Sequence, residues 1–380
     1  MKIKKFCLGA PVLLAASVSH AQSSVTLFGT LDDGITYTNN QGGGHNIQMS
    51  NGGRGSSRWG FRGVEDLGDG MTTTFVLEGG FDPNTGKMGN GSREFGRQAY
   101  VGLDSHFGSI RLGRQYDVVS DSLIGLTSAA KFGGVMTAHA GDVDNVWGDY
   151  SFSNMVKYVS PNFRGLQGSA MLTLGGVAGN FSQGRGEGAN LTYTTPSFKV
   201  ALAALKLNNP ATSLYDATAT PVANTTFTNP ITNPIYSGYV SARTYQVLGA
   251  GANYVFGGLS VGAVYTNTQY QDVIKTSSTP FSGTARFNNV DANFSYRFTP
   301  SILAGAAYDY TRGESANYSQ VNIGAEYDLS KRTLFYAIGA WQHASGTDST
   351  GHAAVAALAF ISPSSTSNQL ALRVGIRHSF

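Results

Sequence analysis

The last twelve residues, QLALRVGIRHSF from Gln369 to Phe380, alternate without a break. Phe380, His378, Ile376, Val374, Leu372 and Leu370 fall on one face. Ser379, Arg377, Gly375, Arg373, Ala371 and Gln369 fall on the other. A period of two is the period of a β-strand, so one face is apolar and the other cationic or small. The chain stops on a bare aromatic, whereas the ends of soluble domains usually fray into water. A strand with lipid on one side and a wet lumen on the other has this pattern.

The first 21 residues read as a cleaved leader. Lys2, Lys4 and Lys5 form a basic start, Phe6 to Val18 is apolar, and Ser19-His20-Ala21 offers a small-residue cleavage site before Gln22. Without those three lysines, the 26 Lys+Arg fall to match the 23 Asp+Glu, and Cys7, the one cysteine, is lost with them. A neutral exported chain without thiols is neither a disulfide scaffold nor a general nucleic-acid binder. No later run reaches the ~20 apolar residues that a membrane helix needs. The 49 glycines would suggest disorder, but 19 Tyr and 21 Phe suggest order. Strands hold both when aromatics cover one face and small residues lighten the other.

Short turn signals recur at 65–70, 104–108, 160–165, 195–197, 256–258, 299–301 and 328–331. Gly, Pro, Asn and Asp supply their backbone angles. Between them lie longer polar connections at 39–53, 82–92, 117–153, 177–186, 208–243, 270–285, 311–317 and 344–367. Seven short turns and eight long loops separate sixteen strands, with both termini on the short-turn rim. The expectation is an all-β fold: a 16-stranded antiparallel transmembrane β-barrel with short periplasmic turns and long external loops. Residues 290–298 and 321–328 support it, because Val290, Phe294, Tyr296, Val321 and Ile323 alternate with Asp291, Asn293, Asn322 and Glu326. A sandwich would show the same alternation turned inside out; the leader, the terminal aromatic and the turn asymmetry select the barrel. About 16–18 strands leave an aqueous channel, so residues 22–380 are expected to form a single barrel domain with a pore.

Several stretches, in order, resemble a Gram-negative general diffusion porin of the neisserial and burkholderial type. They are Ser24 to Gly29, Ser57 to Gly68, Phe95 to Leu103, Leu112 to Asp117, Val156 to Phe163 and Gly375 to Phe380. The resemblance implies a homotrimer in the outer membrane beside lipopolysaccharide, with the third long loop, 117–153, folded into the lumen as a constriction. It also implies a basic wall facing that loop, for which Arg58, Arg62, Arg97, Lys157 and Arg373 are the candidates. Strand parity turns Arg58, Arg62, Lys157 and Arg373 inward, and Arg97, just before Gln98-Ala99-Tyr100, matches an inward arginine that the resemblance implies; Arg377 is inward by the same parity but near the periplasmic rim, and the parity of Arg114 is open. The loop carries Asp117, Asp121, Asp142, Asp144 and Asp149 against Lys131; the first four are the expected acidic side of the waist. Such a pairing makes a transverse field, focused by the low-dielectric wall. Phe380 is the expected signal for the barrel-assembly machinery. The fifth loop, 208–243, with almost no charge, suits a surface cover.

The function implied is passive diffusion of ions and small hydrophilic solutes, with a mild anion preference. The alternatives are a channel selective for organic anions and, from another class, a non-conducting hydrolase or adhesin. No Gly-x-Ser-x-Gly elbow and no HExxH or HxH spacing occurs, so neither catalysis, cofactor nor metal is expected. Asp142-x-Asp144-Asn145 supplies only part of a calcium loop.

Overall fold

Seventeen strand segments form one closed antiparallel barrel in the computed structural model, which describes residues 23–380. The leader expected over residues 1–21 lies outside the described residues. The strands are β1 (Ser24–Gln41), β2 (Gly44–Asn51), β3 (Arg58–Gly68), β4 (Met71–Gly80), β5 (Gln98–Ser105), β6 (Gly108–Gln115), β7 (Phe152–Val159), β8 (Leu166–Thr173) and β9 (Gly186–Thr194). They continue as β10 (Phe198–Asn208), β11 (Thr244–Phe256), β12 (Leu259–Val273), β13 (Gly283–Thr299), β14 (Ile302–Arg312), β15 (Ala316–Asp328), β16 (Thr333–Gly346) and β17 (Asn368–Ser379). Both β2 and β3 pair with β1, with Ile35 opposite Met49 and Leu27 opposite Phe61. They are two halves of one barrel strand, so seventeen segments make sixteen strands. Ring closure is the pairing of β1 with β17, from Thr30 opposite Ser379 to Thr38 opposite Ala371. Gly29 and Phe380 then exchange two backbone hydrogen bonds of 3.1 and 3.0 Å.

The alternation is inverted relative to a soluble sheet. On β13, Val290, Phe294, Tyr296 and Phe298 are exposed while Asp291, Asn293 and Ser295 are buried. An exposed apolar exterior and a polar interior exclude the sandwich and match a lipid-facing surface. His378, a ring on that exterior, sits at the periplasmic rim and is hydrogen-bonded through Nδ1 to Thr333 Oγ1 at 2.8 Å.

The first long connection is an exception to the expected pattern. Residues 39–53 are not an irregular loop: β1 runs to Gln41, turns on Gly42 and Gly43, and returns as β2. Both glycines hold positive φ, 64° and 105°, which a tight hairpin turn requires. Polar Asn and Gln in β2 hid a strand whose outward residues are Ile47 and Met49.

The interior also differs from an open, wet lumen. The third loop, 116–151, folds inside, led by the short helix α1 (Val118–Leu123). Its Val118, Leu123 and Leu126 join Ala201, Leu205, Tyr245, Val247 and Tyr270 of the wall in one buried apolar cluster. The fifth loop adds Tyr215, Phe227, Ile235, Tyr236 and Tyr239 to the same cluster. Polar inward residues that were expected to meet water instead receive the loop backbone. Asn190 Nδ2 donates to Val118 O at 2.8 Å, Asn293 Nδ2 to Leu126 O at 3.0 Å, and Ser128 N–H donates to Asp291 Oδ2 at 2.8 Å. A buried irregular loop must satisfy its amides and carbonyls, and the wall does this.

Phe132 is the main apolar anchor on the far wall. It is fully buried against Gly305 of β14 and Gly324 of β15, where an added Cβ would lie 2.3 Å from its ring and 2.5 Å from its carbonyl oxygen. Inward glycines on neighbouring strands thus form the flat seat for a loop side chain. Phe132→Ala is expected to destabilise the docked loop by about 3–5 kcal/mol. Thermal unfolding in detergent should show a lowered transition, and single-channel recordings a larger, noisier current; unchanged noise and stability would show that the loop is held elsewhere.

Candidate functional site

The passage left by this filling lies between the loop and the wall formed by β1, β3, β4 and the start of β5. It is a cavity of roughly 930 Å³. Arg54, Arg58, Arg97, Arg377 and Lys87 line it together with Glu78, Asp82 and Asp149.

One side of it is built by the break between β2 and β3. Residues 52–57 leave the wall and project inward, organised by Asp32. That carboxylate is fully buried and accepts N–H bonds from Gly53 at 3.0 Å, Arg54 at 2.9 Å and Gly55 at 2.8 Å. Tyr336 donates its hydroxyl to the same group at 2.7 Å, and the Arg373 guanidinium lies 3.9 Å away. Glycine at 53 leaves room for both groups, since a Cβ there would sit 2.2 Å from Arg373 Nε and 2.4 Å from the Tyr336 hydroxyl and would make them shift. The excursion meets the loop directly: Val135 N–H donates to Gly53 O at 3.0 Å. Arg54 then reaches the carbonyls of Ala130 at 2.8 Å and Lys131 at 2.9 Å, and pairs with Glu326 of β15.

On the wall, Arg58 and Arg97 flank Glu78, whose Oε1 lies 3.1 Å from one Nε and 3.0 Å from the other. Gln98 donates to the second oxygen at 2.8 Å. Arg97 also lies over the Tyr116 ring, 5.6 Å from its centroid. Two guanidinia sharing one carboxylate leave a net positive charge at the surface of the passage. The loop contributes Trp147, Gly148 and Asp149 from the other side. Burial pushes the Asp149 carboxyl up to about 6, against the pull of Arg97.

The residues expected at the waist separate into two groups. Arg58 and Arg97 line the cavity. Arg62 lies nearer the short-turn end of β3, exposed and over the Phe28 ring at 5.5 Å. Lys157 is buried, donating to Tyr116 O and Asp121 Oδ2, both at 2.6 Å, so it ties the loop to the wall. Arg373 is buried behind the excursion, with Nε donating to the Tyr336 hydroxyl at 3.0 Å. Arg114 pairs with Ala99, on the outward parity of Leu112, and donates to Gly96 O at 2.7 Å.

Among the acids, Asp121 alone of the four is half-exposed, and it is paired with Lys157. Asp117 is the N-cap of α1, accepting from Val119 and Ser120 N–H at 2.6 and 3.0 Å, and burial pushes its carboxyl up to about 6. Asp142 accepts the N–H of Trp147 at 3.0 Å, and Asp144 accepts from Thr266 Oγ1 at 2.5 Å. Both are buried. Loop acidity serves folding at these three positions, because a buried turn needs acceptors for its N–H groups.

Sequence reasoning missed Asp32, Arg54 and Glu78. The run Asn51-Gly52-Gly53-Arg54-Gly55-Ser56-Ser57 was the available signal: glycines around an arginine, just before a strand, mark a backbone in close contact with something. Glu78 follows from parity once Gly80 and Arg58 are paired.

Known proteins are similar in sequence and share the fold. A family model described as Gram-negative porin matches residues 9–347. Outer membrane porin protein 32 of Delftia acidovorans is 29% identical over 395 residues, covering 100% of both chains. An outer membrane porin protein of Bordetella pertussis is 36% identical over 182 residues, which is 43% of this chain and 46% of that protein. Among solved structures, an anion-selective porin from Comamonas acidovorans superposes with a TM-score of 0.71 at 22% identity, over 94% of this chain and 100% of that one. The sixteen-stranded barrel with its inward loop and residual passage, and the family match over most of its length, lead to one conclusion: the chain belongs to the Gram-negative porin family and is an outer-membrane barrel that forms a diffusion channel.

Proposed function

We propose that this porin is a homotrimeric, mildly anion-preferring channel whose waist lies between the excursion at 52–57, the Arg58–Glu78–Arg97 wall and the Asp149 segment of the loop. The observation that carries the reading is the excess of basic over acidic side chains along the cavity, five against three. Rings of fixed charge in a narrow low-dielectric passage set ion preference. The anion selectivity stated for the Comamonas acidovorans protein agrees in sign. The trimer rests on the family resemblance. So do the contact with lipopolysaccharide and the role of Phe380 in assembly.

A channel selective for organic anions would need guanidinia free to grip a carboxylate. Here Glu78 already occupies the facing edges of Arg58 and Arg97. These arginines therefore act as field sources more than as a clamp, and general diffusion is the better reading. Current that saturates with one class of organic anion would reverse that preference.

Reversal potentials of refolded protein in planar bilayers under a salt gradient test the waist. A unit charge ~4 Å from a passing ion is worth about 1 kcal/mol at water-like dielectric, or roughly fivefold in permeability ratio. Arg97→Ala and Arg58→Ala should each shift the ratio toward cations by up to about that factor. An unchanged potential in both variants would remove them from the waist, and absence of current would remove the channel reading.

The same measurement at two pH values tests Asp149. Its carboxyl, raised to about 6, is ionised at pH 7.5 and largely neutral at pH 5. Losing that negative charge should increase anion preference as pH falls. Asp149→Asn should show the acid-like preference at both pH values; a variant that keeps the full pH dependence would assign the titration to another group.

A further inference from the structure

A second charged group lies on the side of the loop away from the passage. His139 of the loop, Asp291 of β13 and Asp309 of β14 each offer one ligand atom, and these atoms all lie within 4.8 Å of one another. The three residues are 3%, 0% and 3% exposed. Two polar atoms in this group have no hydrogen-bond partner among the described residues, unless Asp309 and Asp291 share a proton: His139 Nε2 and Asp309 Oδ1. An unpaired buried nitrogen and an unpaired buried carboxylate oxygen in one cluster are expensive unless something lies between them.

Every other atom of the group is held. His139 Nδ1 is 2.6 Å from Asp144 Oδ2, and Asp144 accepts from Thr266 Oγ1 at 2.5 Å and Asn289 Nδ2 at 3.2 Å. Asp291 Oδ2 accepts the Ser128 N–H at 2.8 Å, and its Oδ1 accepts from Asn293. The second oxygen of Asp309 accepts from Asn322. Three carboxylates, Asp144, Asp291 and Asp309, thus surround one imidazole. Lys131, the one lysine of this loop, donates to Asn253 and Asn293 rather than to any of them.

We propose that His139, Asp291 and Asp309 bind a divalent transition-metal ion that clips the inward loop to strands β13 and β14. The arrangement has the parts such a site needs. A ligating histidine normally donates its other ring N–H to a carboxylate, which fixes the tautomer and aims the free nitrogen at the metal; Asp144 stands in that position. Asn322, Asn293 and the Ser128 N–H orient the two ligating carboxylates in the same way. One imidazole and two carboxylates suit zinc or manganese, whereas calcium takes oxygen ligands alone. Ligand atoms at 2.0–2.2 Å from zinc are about 3–4 Å apart, so closure from the present spacing needs only small side-chain shifts. A divalent charge would also offset the excess negative charge of the buried group. The ligands come from a loop and two distant strands, which is why no His-rich spacing marks them in the sequence. Asp142, the other member of the partial calcium motif, is turned away onto the Trp147 N–H.

The test uses the full barrel refolded in detergent with excess Zn²⁺, desalted, and assayed for metal by mass spectrometry. About one Zn²⁺ per chain should remain. Asp309→Asn and His139→Gln, which keep side-chain size and hydrogen-bonding capacity, should retain at least tenfold less while still migrating as folded barrels; exposed histidines elsewhere contribute equally to all three proteins. The wild-type unfolding temperature should also be higher with Zn²⁺ than with EDTA, a readout that stands even if a variant fails to refold. Wild-type protein that retains no more Zn²⁺ than the variants, or whose unfolding is the same in Zn²⁺ and EDTA, would overturn the proposal and leave the cluster holding protons alone.

Discussion

The pore depends on one constraint: a long loop placed inside a barrel must find hydrogen-bond partners for a backbone removed from water. The inward face of the wall supplies them. Asn190, Asp291, Asn293 and Lys157 each take an amide, carbonyl or side chain of the loop. Their polarity would read as a wet lumen on a strand-by-strand view. In the folded chain it is a docking surface, and the apolar cluster around Leu123, Tyr245 and Tyr270 completes it. The barrel is wide enough for sixteen strands to enclose a channel, yet the protein fills one side of it. The opening that remains is set by how far the loop is pulled toward that side.

A second inward structure works against the first. The excursion at 52–57 exists because Asp32 gathers three N–H groups, a tyrosine hydroxyl and a nearby guanidinium. Removing that carboxylate would leave buried donors and the Arg373 charge without compensation, a change of a kind that destabilises by about 3–5 kcal/mol. Breaking the wall at β2 and β3 sacrifices ladder hydrogen bonds, and the Asp32 carboxylate replaces them with charge-assisted ones. Such an inward segment persists only because it is over-determined by its surroundings.

The barrel was legible in the sequence because its signal is local. A period of two survives in β13, β15 and β17 whatever the loops do, and Gly, Pro, Asn and Asp mark the turns. The count of connections then places both termini on the short-turn rim. What stayed hidden required knowing which polar groups meet each other. Asp117 precedes the short helix α1, and an N-cap reading was available from Asp117-Val118-Val119; the family resemblance and the acidity of the loop pointed to the waist. Asp142 and Asp144 carry the same charge in the same loop, although buried turns use carboxylates as acceptors as readily as passages use them as field sources. Arg58 was accessible through parity and Arg97 through the family resemblance, but Glu78 between them does not stand out, because the pairing of β3 with β4 across Gly80 has to be known first.

The excursion at 52–57 and the inward loop are tied together through backbone groups. Val135 N–H meets Gly53 O, and Arg54 crosses to the carbonyls of Ala130 and Lys131 before it reaches Glu326. The two inward elements are therefore joined, and they cannot separate without breaking those bonds. Exposed ion pairs alone would give a waist that salt could loosen, since their attraction is screened within about 10 Å at 0.1 M. Backbone hydrogen bonds in a buried seam are screened far less. Salt should then change the field felt by a passing ion much more than the width it passes through, so that selectivity and conductance respond to ionic strength by separate physical routes.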